Sequence, residues 1–248
     1  MKVKVSSFCD IGKARARNQD SILVYRDEVC DFALFAVADG MGGHQNGEKA
    51  SRAITTKLKT WLSQTDISEF SKNAPALLKA LRDQIVEINN YIWETWNQQQ
   101  VCGSTCALLF VLGSAYGVFS VGDSRIYLSR GMRCVPITKD DVWENQKQVM
   151  EQYRKEELVR HPDYGKLVHA VGSEKHLAYS MKAEALQPGD VFALCSDGVY
   201  KMCGSSYLKR KICSCRWRNP ETVKEDIIRK VFHSGAKDNV SLILVKCQ

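Results

Sequence analysis

No stretch of the chain approaches the roughly 18 uninterrupted apolar residues that a membrane helix needs. The opening, MKVKVSSFCDIG, also lacks the apolar centre of a secretory signal. Both absences point to a soluble cytoplasmic protein without a membrane span. Paired C-x-x-C knuckles are missing too: of ten cysteines, Cys102 and Cys106 lie four apart and Cys213 and Cys215 two apart, while the rest are scattered singly. That spacing argues against a structural zinc site, and without a secretory signal the thiols read as reduced, mostly buried small hydrophobes. Repeats, low-complexity tracts and flexible linkers are absent as well. A chain of 248 residues, 44% of them apolar, can bury a substantial core, so one domain is expected. Lys and Arg outnumber Asp and Glu by 35 to 28, a modest excess that suits anionic partners but reads most simply as surface solvation. Lys209, Arg210, Lys211, Arg216 and Arg218 cluster around Trp217, yet no nucleic-acid-binding pattern accompanies them. A solvated loop or helix face is expected there, and no nucleic acid partner.

Short β-rich runs are present at Ser21 to Tyr25, Phe32 to Ala38, Thr105 to Leu112, Ala115 to Val121, Arg125 to Ser129, Asp190 to Cys195 and Val240 to Val245. Several are nearly continuous in apolar residues, which suits strands covered on both faces. Between the second and third runs lie two amphipathic helices. Ala50, Ile54, Leu58 and Trp61 or Leu62 share one face; Leu77, Leu81, Ile85, Ile88, Ile92 and Trp96 share another, with Pro75 near the start. A third helix is expected from about Glu221, after Asn219-Pro220, with Val223, Ile227, Val231 and Phe232 inward. From Lys139 to Tyr164 the strand rhythm breaks in a polar stretch, expected to form a partly helical surface insertion that shapes access to a site.

The carboxylates carry the chemistry. Asp39-Gly40 follows FALFAVA, Asp123 follows VFSVG, Asp197-Gly198 follows FALCS, and Asp238 immediately precedes the run from Val240. Taken singly, each reads as a turn residue or helix cap. Four together at the ends of apolar strands would cost too much desolvation unless a cation offsets them. Carboxylate, carbonyl and water are hard donors that match Mg²⁺ or Mn²⁺ rather than zinc or copper, and the Gly40 carbonyl could join them. Two such ions would bridge a water, lower its pKa and aim it at phosphorus. Arg15, within GKARARNQD, could grip phosphate oxygens bidentately, with Arg17 as its competitor. His44 could act as a general acid, although a loop histidine beside Gly42 and Gly43 is as often incidental.

In order along the chain, DIGKARARNQD, VADGMGGHQNGEKAS, CGSTCALLFV, FSVGDSRIYL, LVHAVG, ALCSDGVY and KDNVSLILV resemble the metal-dependent protein phosphatase family, type 2C, in its compact bacterial form. The resemblance implies an α+β fold: a four-layer α-β-β-α sandwich whose two mostly antiparallel sheets are flanked by helix pairs, with residues 1–248 as one phosphatase domain and a flap at about 139–164. It implies hydrolysis of phosphoserine and phosphothreonine in proteins by a metal-bridging hydroxide, without a phosphoenzyme. By position, Asp39 would bridge two Mn²⁺ or Mg²⁺ ions, the Gly40 carbonyl would bind the first, and Asp197 and Asp238 would complete the second. Asp123 with Asp197 would hold a weaker third ion, Asp20 would anchor metal-bound waters, and Arg15 would bind phosphate. Gln19 and Asn239 would stand behind these ligands.

Three departures from the family pattern stand out. Gln19 occupies a place where many members have Glu, Met41 stands where eukaryotic-type members have a His proposed as general acid, and the flap opens TKDD, bringing in Asp141. No core aspartate is lost, so an active enzyme is expected, and no C-x5-R loop suggests a cysteine nucleophile. The implied partners are phosphorylated proteins and a cognate serine/threonine kinase of the bacterial type, with the enzyme itself a monomer. The alternatives are a dedicated enzyme for a regulator such as a phosphorylated anti-anti-sigma factor, or a pseudophosphatase that binds a phosphoprotein without hydrolysing it.

Overall fold

The computed structural model describes residues 2–42, 46–97 and 101–248. Its strands are β1 (Val3–Asp10), β2 (Asp20–Asp27), β3 (Phe32–Met41), β4 (Gly103–Ser104), β5 (Cys106–Leu112), β6 (Ala115–Val121), β7 (Arg125–Arg130), β8 (Arg133–Pro136), β9 (Ser180–Ala185), β10 (Val191–Cys195) and β11 (Val240–Cys247). The helices are α1 (Asn46–Gln64), α2 (Ala74–Trp96), α3 (Lys147–Gln152), α4 (Lys155–Leu158), α5 (Asp197–Cys203), α6 (Ser205–Ser214) and α7 (Pro220–His233). One sheet runs β1-β11-β10-β7-β8 and the other β2-β3-β5-β6-β9, with β4 beside β3; every pairing is antiparallel.

Alternation along the central strands explains why their apolar runs are unbroken. On β3, Phe32, Leu34, Ala36 and Ala38 pack under α1 and α2, while Ala33, Phe35 and Val37 point between the sheets. Strand β10 does the same: Val191, Ala193 and Cys195 meet α5, α6 and α7, and Phe192 and Leu194 enter the intersheet layer. Successive side chains face opposite ways, so a strand covered on both sides needs an apolar residue at every position. Three buried layers follow, which is the four-layer sandwich expected. The helical layers are unequal, with α1 and α2 over one sheet and α5, α6 and α7 over the other.

The amphipathic faces fall where their spacing places them. Ile54, Leu58 and Leu62 are buried on α1, and Leu62 rather than Trp61 is the fully inward residue of that turn. Asn73 caps α2 by accepting from the Ala76 amide at 3.1 Å, and Asn219 caps α7 from the Glu221 amide at 3.0 Å, each with Pro in the first turn. On α7, Val223, Ile227 and Val231 are buried, whereas Phe232 is only half-buried and meets Phe8 edge-on at 6.2 Å.

Four strands and two helices were not evident in the sequence. Strands β1, β8 and β9 are sheet edges, and β4 is only two residues long. An edge is half solvated and tolerates the polar residues of VKVSSFCD or SMKAEA, and Pro136 sits on such an edge, where no ladder bond is lost. The basic cluster expected on a solvated loop or face lies on and after α6, which nonetheless buries Leu208 and Ile212. None of the described helices is long and apolar enough to cross a membrane.

Candidate active site

Antiparallel pairing brings the acids to one end of the sandwich. The end of β3 and the start of β2 are neighbours, with Asp39 directly opposite Asp20. The start of β11 lies beside the end of β10, so Asp238 and Asp197 flank the same end of the other sheet. Asp123 follows β6 and Gly122. Close backbone approach completes the convergence: a Cβ on Gly198 would lie 2.0 Å from the Asn239 carbonyl oxygen, and one on Gly40 2.1 Å from the Gly47 carbonyl oxygen. Any larger residue would wedge α5 off β11, and α1 off β3.

A cavity of about 310 Å³ opens here, lined by Asp39, Gly40, Asp123, Asp197 and Asp238, with Arg15, Gln19 and Asn239 at its margin. These expected site residues are therefore gathered at one place. Asp20 lies buried behind Asp39, its Oδ2 accepting from the Ser196 hydroxyl at 2.8 Å and its Oδ1 making no hydrogen bond among the described residues. His44, the candidate general acid, lies outside the described residues. Arg17, the competitor of Arg15, is exposed, and its carbonyl accepts from the Asn239 amide at 2.9 Å.

Asn239 acts as a staple: its Oδ1 accepts from the Gln19 amide at 2.9 Å, and its Nδ2 donates to the Ile11 and Arg17 carbonyls. The segment carrying Arg15 and Gln19 is thereby tied to the ligand end of β11. Thr105 does comparable work for Asp39, its hydroxyl accepting from the Asp39 amide at 2.9 Å and meeting Ser124 at 2.7 Å.

Electrostatic strain is concentrated on the buried acids. Burial, then the charges of Asp20, Asp197, Asp123 and Asp238, raises the Asp39 carboxyl well above its ordinary range. Burial raises Asp20 to about 6 against the opposing hydroxyls of Ser241 and Ser196, and raises Asp123 to about 6 with Asp197 adding to it. Two cations answer part of this charge. Arg15 donates to both oxygens of Asp238, at 2.8 and 2.7 Å, and the Lys201 ammonium sits 2.6 Å from Asp197 Oδ2. As the side chains stand, no three His, Cys, Asp or Glu residues among those described are close enough together to hold one ion. The donor set nonetheless fits hard divalent cations: it is all oxygen, and it includes the Asp20 oxygen, which is buried without a hydrogen-bond partner among the described residues.

The stretch expected to form a flap leaves the body here. Asp141 donates its amide to the Gly122 carbonyl at 3.0 Å and accepts from the Gly122 amide on Oδ2 at 2.9 Å, next to Asp123. The stretch beyond it is partly helical, as expected, with a 3-10 turn at Trp143–Asn145 followed by α3 and α4. Trp143 stacks on His161 at 4.0 Å, and Gly165 and Leu167 reach the cavity. Lys201 and Thr105 escaped the sequence reading, whereas Asp141 was singled out there at the opening of the expected flap. Of the two that escaped, only Lys201 left a signal, four residues after Asp197 and so on the same helical face.

Residues 13–232 match the family described as protein phosphatase 2C. The chain is 26% identical over 246 residues to protein phosphatase PhpP of Streptococcus pneumoniae, covering 98% of this chain and 97% of that one. It is 28% identical over 247 residues to the serine/threonine phosphatase stp of Listeria welshimeri, covering 96% and 93%. Its fold overlays the serine/threonine phosphatase of S. agalactiae with a TM-score of 0.84 at 26% identity, over 100% of each chain. The chain belongs to the protein phosphatase 2C family, the class of protein-serine/threonine phosphatases.

Proposed function

We propose that the chain removes phosphate from phosphoserine and phosphothreonine in proteins at the acidic end of the sandwich, counteracting a bacterial serine/threonine kinase. One observation carries this reading: Asp39, Gly40, Asp197 and Asp238 line a single cavity while Asp20 behind them keeps an oxygen without a hydrogen-bond partner among the described residues. Two Mn²⁺ or Mg²⁺ ions would be held by Asp39, the Gly40 carbonyl, Asp197 and Asp238, and when bound they supply an activated water and charge neutralisation at the phosphoryl group.

The chain's own residues do the rest. Asp20 anchors the hydration of the centre from behind Asp39. Arg15, half-exposed at the mouth, presents a planar pair of N–H donors that grip Asp238 in this structure; the same fork suits two phosphate oxygens when substrate arrives. Asn239 holds Arg15 and Gln19 in register with Asp238. The flap, pinned by Asp141, forms one wall of the approach. The protein acts as a monomer in the cytoplasm.

A second reading deserves a test because Arg15 and Lys201 already engage two of the carboxylates, as a non-hydrolysing phosphoprotein-binding module would allow. Manganese-dependent turnover of a phosphothreonine peptide that vanishes in Asp39→Asn supports the enzyme. Metal-independent binding of that peptide without turnover supports the module and overturns the enzyme.

A further inference from the structure

Resting on the two-ion reading above, we propose that Lys201 is the resident cation of the Asp123–Asp197 pair, so that this chain takes two divalent ions and has no place for a third. The Lys201 ammonium lies 2.6 Å from Asp197 Oδ2 and 3.8 Å from Asp123 Oδ2, between the two carboxylates that would otherwise share an ion. Its position is set by covalent geometry. Asp197 opens α5 and Lys201 follows one turn later, a spacing that stacks the two side chains on one helical face.

The surroundings reinforce the assignment. Asp123 Oδ2 also accepts from the Tyr200 hydroxyl at 3.1 Å. The Tyr200 ring is in turn held under the Arg125 guanidinium at 3.6 Å, and Arg125 is anchored on Asp140 by bonds of 3.0 and 2.6 Å. Asp123 therefore has a hydroxyl and an ammonium from the chain itself, in contrast with Asp20, whose Oδ1 makes no hydrogen bond among the described residues. A divalent ion placed between Asp123 and Asp197 would stand within contact distance of the Lys201 ammonium and would have to displace it. The side chain is 51% exposed, so its charge also reaches the cavity it lines. Lys201 is thus a positioning residue: it holds Asp197, a ligand of the core pair, and neutralises Asp123 without drawing on free metal.

The test counts ions rather than products. Mn²⁺ bound per chain, measured by titration with the free ion followed by electron paramagnetic resonance, is expected to be two in the wild type across millimolar Mn²⁺. Lys201→Met is expected to gain a third, weaker ion, and the double variant Lys201→Met/Asp123→Asn to return to two. Lys201→Arg, which keeps the charge, is expected to stay at two. A wild-type count of three, or a Lys201→Met count that remains at two, overturns the inference while leaving the two-ion reading in place. A wild-type count below two overturns that reading and this inference with it.

Discussion

Strand β10 has a buried or half-buried aspartate near each end, and the two live in opposite surroundings. Asp190, which precedes the strand and is 1% exposed, accepts from Arg130 at 2.9 and 2.7 Å and from the Gln187 amide at 2.9 Å. At the other end Asp197 faces Asp39, Asp123 and Asp238, with Asp20 behind, and among the described residues Arg15 pairs with Asp238 and Lys201 with Asp197 in this group of five carboxylates. A buried acid is ordinary when its neighbour on the next strand is a matched base, as Asp190 and Arg130 show. Buried acids gathered without enough cations mark a place where the fold accepts instability for chemistry.

The largest effect should come from the strained end. Asp39→Asn is expected to lower kcat on a phosphothreonine peptide by at least about 10³-fold while the protein remains folded by circular dichroism. Surviving turnover would erase the distinction between the two ends. At the satisfied end the loss should be of stability instead: Arg130→Met strands a buried Asp190 and should cost about 3 kcal/mol in urea unfolding, with kcat per folded molecule unchanged.

Next comes the pH dependence of the metal-free protein. Asp20, raised to about 6 in the fold from an ordinary 3.8, binds its proton more tightly when folded. Its stabilising contribution is therefore complete below the unfolded value and is lost as pH rises through about 6. Asp20→Asn should then be the more stable protein in chelator at pH 7, by about 2 kcal/mol, with the advantage shrinking towards pH 4. Equal pH slopes for the two proteins would show that Asp20 carries no such strain. The smallest effect is expected at the flap base, where Asp141→Ala removes one bond to Gly122, about 1 kcal/mol, and should raise KM for a phosphoprotein more than for p-nitrophenyl phosphate.

How much of this could be read beforehand depends on the burial of each segment. Strands β3, β5 and β10 were legible because both of their faces are covered and their runs, Phe32 to Ala38 on β3 and the whole of β5 and β10, are apolar throughout. Edges β1, β8 and β9 were not, since a half-solvated strand leaves no unbroken run. Helices α1, α2 and α7 showed their apolar spacing, and α2 and α7 also their start signals, Pro75 and Asn219-Pro220. Short α5 hid because it begins inside the motif SDG, where aspartate and glycine read as a turn, and α6 because its basic residues outweigh Leu208 and Ile212. At the site, Asp39, Asp123, Asp197 and Asp238 were found from their places at strand ends. The Arg15 fork was expected on phosphate and is seen on Asp238.

Residue order alone determined the apolar layers, the helical faces and the set of oxygen donors, because each follows from spacings of two, three or four along one chain. Tertiary structure alone decided which acids share charge and which are answered. Asp20 meets Asp39 through strand register, Asp190 meets Arg130 across 60 residues, and Lys201 meets Asp123 only once α5 packs beside the end of β6. Coulomb interactions fall off over distances in space, and distance in space is what the packed sandwich sets.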